Sequence, residues 1–465
     1  MTPPAVAEAP PSASEVRLSE VLSALSHALD LTEGQPRGHT LRSCVIGMRL
    51  AEESGVGEEA RRALYYALLL KDAGCSSNAA RFASLFGSDD QAAKYRMKLP
   101  DWQRKARLAW RTARTVGMGR SLRARVRHFV EIARTPDVTR DLIAIRCDRG
   151  ARIVLRLGFP PEAAGAVRAL DEHWNGKGYP EGLSGEGIPL LARIANLAQT
   201  LEIHHAARGR RAAVEVAVAR RGTWFDPRLV DRVRGWAGDA AWWDGLGDPA
   251  VADRVVAAEP GERALTVDAA GLDEVARAFA DVIDAKSPYT FRHSSNVADY
   301  ACRVAREMGV DAAEERRLYR AGLLHDVGKL GVSNRILDKD GPLTPDERLD
   351  VQRHPLHTWE ILSRVGAFQP FARLAAVHHE RLDGTGYPWG HAAPDLDRSD
   401  RVLAVADVYE ALTADRPYRA GMPPATALAI LHEDAPARVC PDAVAALESA
   451  LQRDDWSADA IGIEA

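Results

Sequence analysis

The chain is one pattern written twice, so its fold has to accommodate that pattern at two places. Asp30 to Arg42 (DLTEGQPRGHTLR) lies over Asp284 to Asn296 (DAKSPYTFRHSSN), which sets His39 on His293 at an offset of 254. The same offset sets Leu68 to Cys75 over Gly322 to Lys329. Glu172 to Pro180 lies over Glu380 to Pro388 at an offset of 208, and this continues without a gap to Arg193 to Gln199 over Arg401 to Asp407. The first copy therefore carries 46 residues (254 − 208) that the second lacks, somewhere between Asp72 and Arg146. Within the copies the apolar spacing is helical. Val275, Phe279, Val282 and Ile283 share one face, as do Val297, Ala301, Val304, Ala305 and Met308. Pro345-Asp346-Glu347 suits a first helical turn. No alternating stretch is long enough to build a sheet. The expectation is an all-α chain of two tandem helical domains of one type, the first with an inserted basic segment.

The expected boundaries are a disordered leader at 1–15, copy one at 16–236 with its insertion at about 76–140, a connector at 237–263, and copy two at 264–465. The connector is rich in Gly and Asp but holds Trp242 and Trp243, so it is expected to pack. The leader lacks the basic and apolar regions of a signal peptide, and no apolar run is long enough to span a bilayer. Five cysteines, Cys44, Cys75, Cys147, Cys302 and Cys440, are scattered with no CxxC spacing. That argues against a disulfide framework and for a cytoplasmic protein. A net charge of -4 gives no global attraction to nucleic acid or membrane. Residues 94–127 run against this balance, with twelve Lys and Arg against one acid, Asp101. Arg104, Arg107, Arg111 and Arg114 fall at helical spacing there. Either a basic amphipathic helix docks on the acidic remainder, or the segment binds an anion such as a nucleotide regulator, an acidic partner or RNA. No specific nucleic-acid motif is present.

Copy two concentrates metal-type side chains. It reads His325-Asp326-Val327-Gly328-Lys329, then His378-His379 shortly before Gly386-Tyr387-Pro388, and adds His293, His354 and Asp407. Buried imidazoles and carboxylates in such numbers need a counter-charge, and a metal cluster is the usual one. Five histidines and two aspartates exceed the four ligands of a tetrahedral zinc and suit two octahedral ions such as iron or manganese. Neighbouring residues on a helix point about 100° apart, so His325 and Asp326 can serve adjacent ions, with Asp326 as the bridge. Two such ions activate a water and polarise a phosphoryl oxygen, and Lys329 can reach a phosphate oxygen. Copy one keeps His39 and Asp72 but has Lys71 for His325, Arg146 for His354, Leu170 and Asp171 for His378 and His379, and Gln199 for Asp407. Cations where a dication would sit predict that copy one binds no metal.

The HDxGK string at His325 to Lys329, the HHExxDGxGYP string at His378 to Pro388 and the run from Ala406 to Arg419 (ADVYEALTADRPYR) resemble the HD-GYP family of HD metal-dependent phosphohydrolases, across essentially all of copy two. The resemblance implies an all-α HD-type domain that hydrolyses cyclic di-GMP to pGpG or GMP through a two-metal-activated hydroxide. It implies His293, His325, Asp326, His354, His378, His379 and Asp407 as metal ligands, with Asp326 bridging and Lys329 on the scissile phosphate. Gly386, Tyr387 and Pro388 would shape the substrate pocket, and Arg416 and Arg419 would contact phosphate or guanine. Some members carry a Glu four residues before the first His, for a third metal; here that residue is Tyr289, so two metals are expected. The loop from Trp389 to Asp397 departs from the family pattern, which leaves a related cyclic dinucleotide open as substrate. The first half would be regulatory. The competing expectation is a signalling adaptor that binds protein partners through both units with little or no activity. Gly-Tyr-Pro argues against a general nucleotide phosphohydrolase. A homodimer and signalling-protein partners stay open.

Overall fold

The computed structural model describes residues 16–86, 89–98, 138–261, 265–415 and 419–453. Copy one contributes α1 (Leu18–Thr32), α2 (His39–Glu53), α3 (Glu58–Leu70), α4 (Ala79–Phe86), α5 (Asp90–Lys98), α6 (Val138–Arg156), α7 (Pro161–Arg168) and α8 (Leu190–Ala219). Copy two contributes α9 (Ala269–Asp284), α10 (His293–Glu307), α11 (Ala312–Leu324), α12 (Asn334–Leu337), α13 (His354–Leu362), α14 (Gln369–Ala376) and α15 (Arg398–Thr413). Among the described residues the only sheet is a two-residue antiparallel pair, Val16–Arg17 with Thr266–Val267. The fold is all-α. The helix expected at Pro345 forms, closed by a capping box between Thr344 and Glu347.

The two offsets are visible in the helices. α2 and α10 are both 15 residues long and start on His39 and His293. α3 and α11 are both 13 residues long. Each first histidine follows a left-handed residue, Gly38 at φ 83° and Arg292 at φ 58°. A side chain at such a φ is strained, so the tight entry to α10 is held by its surroundings. Part of that hold is Asp284, whose carboxylate accepts from the Ser294 amide and hydroxyl; Asp30 does the same for Thr40 in copy one.

Two glycines set how the copies are packed inside. A Cβ on Gly74 would lie 1.9 Å from the Arg146 carbonyl oxygen, and one on Gly328 would lie 2.0 Å from that of His354. No side chain fits either place, so the turns after α3 and α11 press directly on the backbones of α6 and α13. This close approach brings His325 and Asp326 against His354.

Between the copies the contacts are reciprocal. α1 packs on the turn Val327–Gly331 of copy two and on α13, while α9 packs on the turn Cys75–Asn78 of copy one. Arg149 of α6 donates to the Asp281 carbonyl at 3.2 Å, and Arg156 pairs with the Asp281 carboxylate on α9. α4 meets α12, its counterpart at the 254 offset. One hydrophobic core runs through both copies. The connector does pack: Trp243 is fully buried, and the Arg49 guanidinium lies 4.6 Å and 4.4 Å from the rings of Trp236 and Trp242. Of the basic segment, Lys94 to Lys98 lie on α5; the arginines from Arg104 to Arg127, and the leader, lie outside the described residues.

Candidate metal centre

The seven expected ligands converge at the base of one cleft in copy two. His325 caps the end of α11, Asp326 follows it, His293 opens α10, His354 opens α13, His378 and His379 follow α14, and Asp407 lies in α15. They form two groups. His293, His325 and Asp407 offer ligand atoms within 4.8 Å of one another, and so do His354, His378 and His379. Asp326 stands between them. Its Oδ2 is 3.2 Å from His293 Nε2 and 3.3 Å from His325 Nε2. Its Oδ1 is 3.2 Å from His354 Nε2 and 3.7 Å from His378 Nε2. Asp407 reaches both groups, 3.5 Å from His293 and 3.6 Å from His379.

The ring orientations are set from behind. His325, His354 and His378 each donate Nδ1–H at 2.7 Å to the carbonyl three residues earlier, of Gly322, Val351 and Ala375. His293 Nδ1 is held by Glu410. With Nδ1 protonated, each Nε2 presents a lone pair inward. The Nε2 atoms of His354 and His378 then face each other at 3.2 Å, an arrangement that a cation between them relieves. His293 Nε2, His325 Nε2 and Asp326 Oδ1 are buried with no hydrogen-bond partner among the described residues. Buried acceptors left open in this way fit a divalent metal site.

Electrostatics divide the five rings: against the effect of burial, nearby carboxylates draw His293 and His325 up, while His354, His378 and His379 are held down. Burial pushes His379 down to about 3 and holds His354 and His378 below the usual range, so these rings are neutral donors. His325 is also opposed by burial, but the Asp326 and Asp407 carboxylates outweigh it and pull it up to about 10. Burial raises Asp326, yet His325 and Lys329 hold it well below the carboxylate range. Where no metal is bound, protons and Lys329 supply the positive charge; the Lys329 ammonium is 2.5 Å from Asp326 Oδ2.

Above the ligands lies a cavity of about 820 Å³. Lys329, Tyr387, Tyr289 and Arg419 line it, as do Lys286, Lys339 and Arg348, which the sequence did not single out. Of Gly-Tyr-Pro only Tyr387 reaches the cavity. Gly386 is pressed so closely on the backbone of His379 and Glu380 that a Cβ would lie 2.5 Å from Glu380 Cα. Pro388 is likewise off the wall, so these two residues set the loop that carries the tyrosine ring, 4.7 Å from that of His379. Arg419 stands at the wall, but its guanidinium donates to the carbonyls of Ala411 and Leu412 at the end of α15, because a helix C-terminus leaves those carbonyls unpaired. Arg416 lies outside the described residues. Glu410 was missed. The available signal was Glu202, its counterpart at the 208 offset, which holds His39 Nδ1 in copy one.

At the equivalent place in copy one, Lys71 Nζ is 3.0 Å from His39 Nε2 and pairs with Asp72. Lys98 of α5 lies 2.5 Å from Glu33 and 3.7 Å from Asp72, and Arg146 pairs with Asp171. Glu33, Asp72 and Cys75 are close enough together to share an ion, but these ammonium groups already sit on the carboxylates.

The chain is similar to known proteins along most of its length. The HD domain family matches residues 134–229 and 277–442, together more than half of the chain and one stretch in each copy. The chain is 41% identical over 435 residues, 93% of its length and 94% of the relative's, to the 3′3′-cGAMP-specific phosphodiesterase 3 of Vibrio cholerae. A cyclic di-GMP phosphodiesterase of Pseudomonas aeruginosa is 41% identical over 143 residues, 30% of this chain and 34% of that protein. The crystal structure of a cyclic GMP-AMP-specific phosphodiesterase from V. cholerae matches with a TM-score of 0.65 and 37% identity, covering 94% of this chain and 98% of that one. No helix among the described residues is long and apolar enough to cross a membrane. With family, fold and inward-facing donors in agreement, the chain belongs to the HD-GYP branch of the HD-domain family and is a metal-dependent phosphohydrolase.

Proposed function

We propose that this protein hydrolyses a 3′3′-linked cyclic dinucleotide to a linear product in the cytoplasm, and that it prefers 3′3′-cGAMP to cyclic di-GMP. The observation that carries the reading is Asp326, with one carboxylate oxygen turned to each of two ligand groups beneath a cavity of about 820 Å³. Two divalent ions, iron or manganese, would be held by His293, His325 and Asp407 on one side and His354, His378 and His379 on the other, with Asp326 shared. Such a pair supplies Lewis acidity at a phosphoryl oxygen and an acidified water as nucleophile. The chain's own residues do the rest. Lys329 offers an ammonium at the floor of the cavity to the phosphate being cleaved. Tyr387 gives a flat face beside His379 for a base or ribose, and Arg348 gives the wall positive charge suited to a second phosphate, while Lys286 and Lys339 on the same wall are paired with Asp90 and Glu347. Glu410 and the three carbonyls keep the ligand rings aimed.

The preference for 3′3′-cGAMP is supported by the Vibrio relative matched over nearly its whole length, where the cyclic di-GMP enzyme of P. aeruginosa matches about a third of the chain. Copy one, with Lys71, Lys98 and Arg146 on its carboxylates, would carry no metal and serve the other half as scaffold or regulator. The test is metal analysis of anaerobically purified protein together with hydrolysis of both dinucleotides. We expect two ions per chain and a higher kcat/KM for 3′3′-cGAMP. Metal-loaded protein that cleaves neither dinucleotide would refute the substrate, and full turnover with one ion or none would refute the two-metal centre.

A further inference from the structure

Helix α5 of copy one reaches the cavity of copy two. Its first residue, Asp90, is an acid with no exposed surface. The described hydrogen bonds and ion pair of its carboxylate all cross to the other copy. Oδ1 accepts from the Asn334 amide at 2.8 Å and the Ser333 hydroxyl at 3.0 Å, and Oδ2 lies 3.4 Å from Lys286 Nζ. The next residue, Gln91, donates to the Leu330 carbonyl at 3.0 Å. Asn334 in turn donates to the Lys286 carbonyl at 2.6 Å and to Asp338 at 2.8 Å, and Asp338 accepts from Ser287 at 2.5 Å. Lys286, Ser287, Ile336 and Leu337 line the cavity. One carboxylate thus fastens a whole side of the cavity wall.

The other end of α5 is anchored in copy one. Lys94 donates to the Cys75 carbonyl at 2.9 Å and lies 3.4 Å from Glu33, and Lys98 lies 2.5 Å from Glu33 and 3.7 Å from Asp72. The helix runs from the ion-pair cluster that stands in place of a metal centre in copy one to the wall of the cavity in copy two. An ammonium as deeply buried as that of Lys286 needs a charged partner to stay in place, and its own copy supplies none among the described ion pairs.

We propose that Asp90 is a positioning residue of the active site: α5 completes the copy-two cavity by fixing Lys286 and the Ser333–Leu337 wall against which substrate binds. This rests on the reading that the cavity receives the dinucleotide. The test uses the full-length, metal-loaded protein, with 3′3′-cGAMP and the generic diester bis(p-nitrophenyl) phosphate as substrates. Asp90→Asn should raise KM for 3′3′-cGAMP by about tenfold and change kcat by less than about threefold, as loss of a charge-assisted contact that orients a binding wall would. Metal content should be unchanged, and Asp90→Glu should recover part of the loss. Ser333→Ala, which removes one bond to Asp90 and leaves Lys286 in place, should raise KM the same way by a smaller factor and serves if Asp90→Asn fails to fold. A lowered melting temperature with KM intact in the folded variants would overturn the proposal, because it would make the contact structural only. Wild-type protein that cleaves the generic diester but no cyclic dinucleotide would sink the proposed substrate instead. The comparison of KM values then passes to the diester, and equal values would overturn the role of Asp90.

Discussion

Asp72 and Asp326 hold the same place in the two copies, and both are buried carboxylates that have to face positive charge. Around Asp326 stand imidazole Nε2 atoms turned inward; around Asp72 stand the ammonium groups of Lys71 and Lys98. The helices around them keep their lengths, their left-handed entry residue and the glycine pressed on the neighbouring backbone. The difference separates two jobs. Apolar faces and close-packed glycines specify the fold, while the counter-charge of the buried aspartate is interchangeable. A lysine satisfies the electrostatics as well as a dication would, but it leaves no open coordination position for chemistry.

Four variants would break or sharpen this contrast. Asp326→Ala should have the largest effect, loss of both metals and of all hydrolysis in a protein that stays folded by circular dichroism. Full metal content in that variant would remove Asp326 from the centre of the scheme. Lys329→Ala should keep its metals and lose turnover by a factor on the order of 10² to 10³, as for removal of one charge-stabilising group. Unchanged turnover would mean that the ammonium only balances Asp326. Glu410→Gln should weaken metal retention by about 10- to 100-fold, the usual cost of loosening an outer partner of a ligand histidine. Competition with a chelator measures it, and wild-type retention would show that the helix entry alone aims His293. Lys71→His should have the smallest effect on metal. It restores one ligand type in copy one, but Arg146, Leu170 and Gln199 remain, so metal per chain should not change. An added ion would mean that copy one is one residue away from a working centre.

The residues that come together locally or by repetition were legible in the sequence. Helical spacing gave the all-α class, and two constant offsets gave the internal correspondence that α2 with α10 and α3 with α11 display. The ligand types were conspicuous because buried His and Asp are costly without a partner. What escaped depends on direction and distance. Arg419 reads as a phosphate contact but turns to the carbonyls at the end of α15. Gly386 and Pro388 act through the loop backbone and not on the cavity. Asp90 is an ordinary acid with no motif around it, and its partners Lys286 and Ser333 lie 196 and 243 residues away. No periodicity signals such a pairing. The arginines from Arg104 to Arg127 lie outside the described residues.

The reciprocal contacts between the copies have an evolutionary consequence. In a symmetric homodimer every substitution appears twice, so a lysine that fills one pocket fills both, and the assembly dissociates on dilution. Joining the two units in one chain removes both constraints. The local concentration of each unit about the other is set by the tether and not by expression level. Each unit can then change alone, and a gene that encodes both can give one up to support without giving up the reaction.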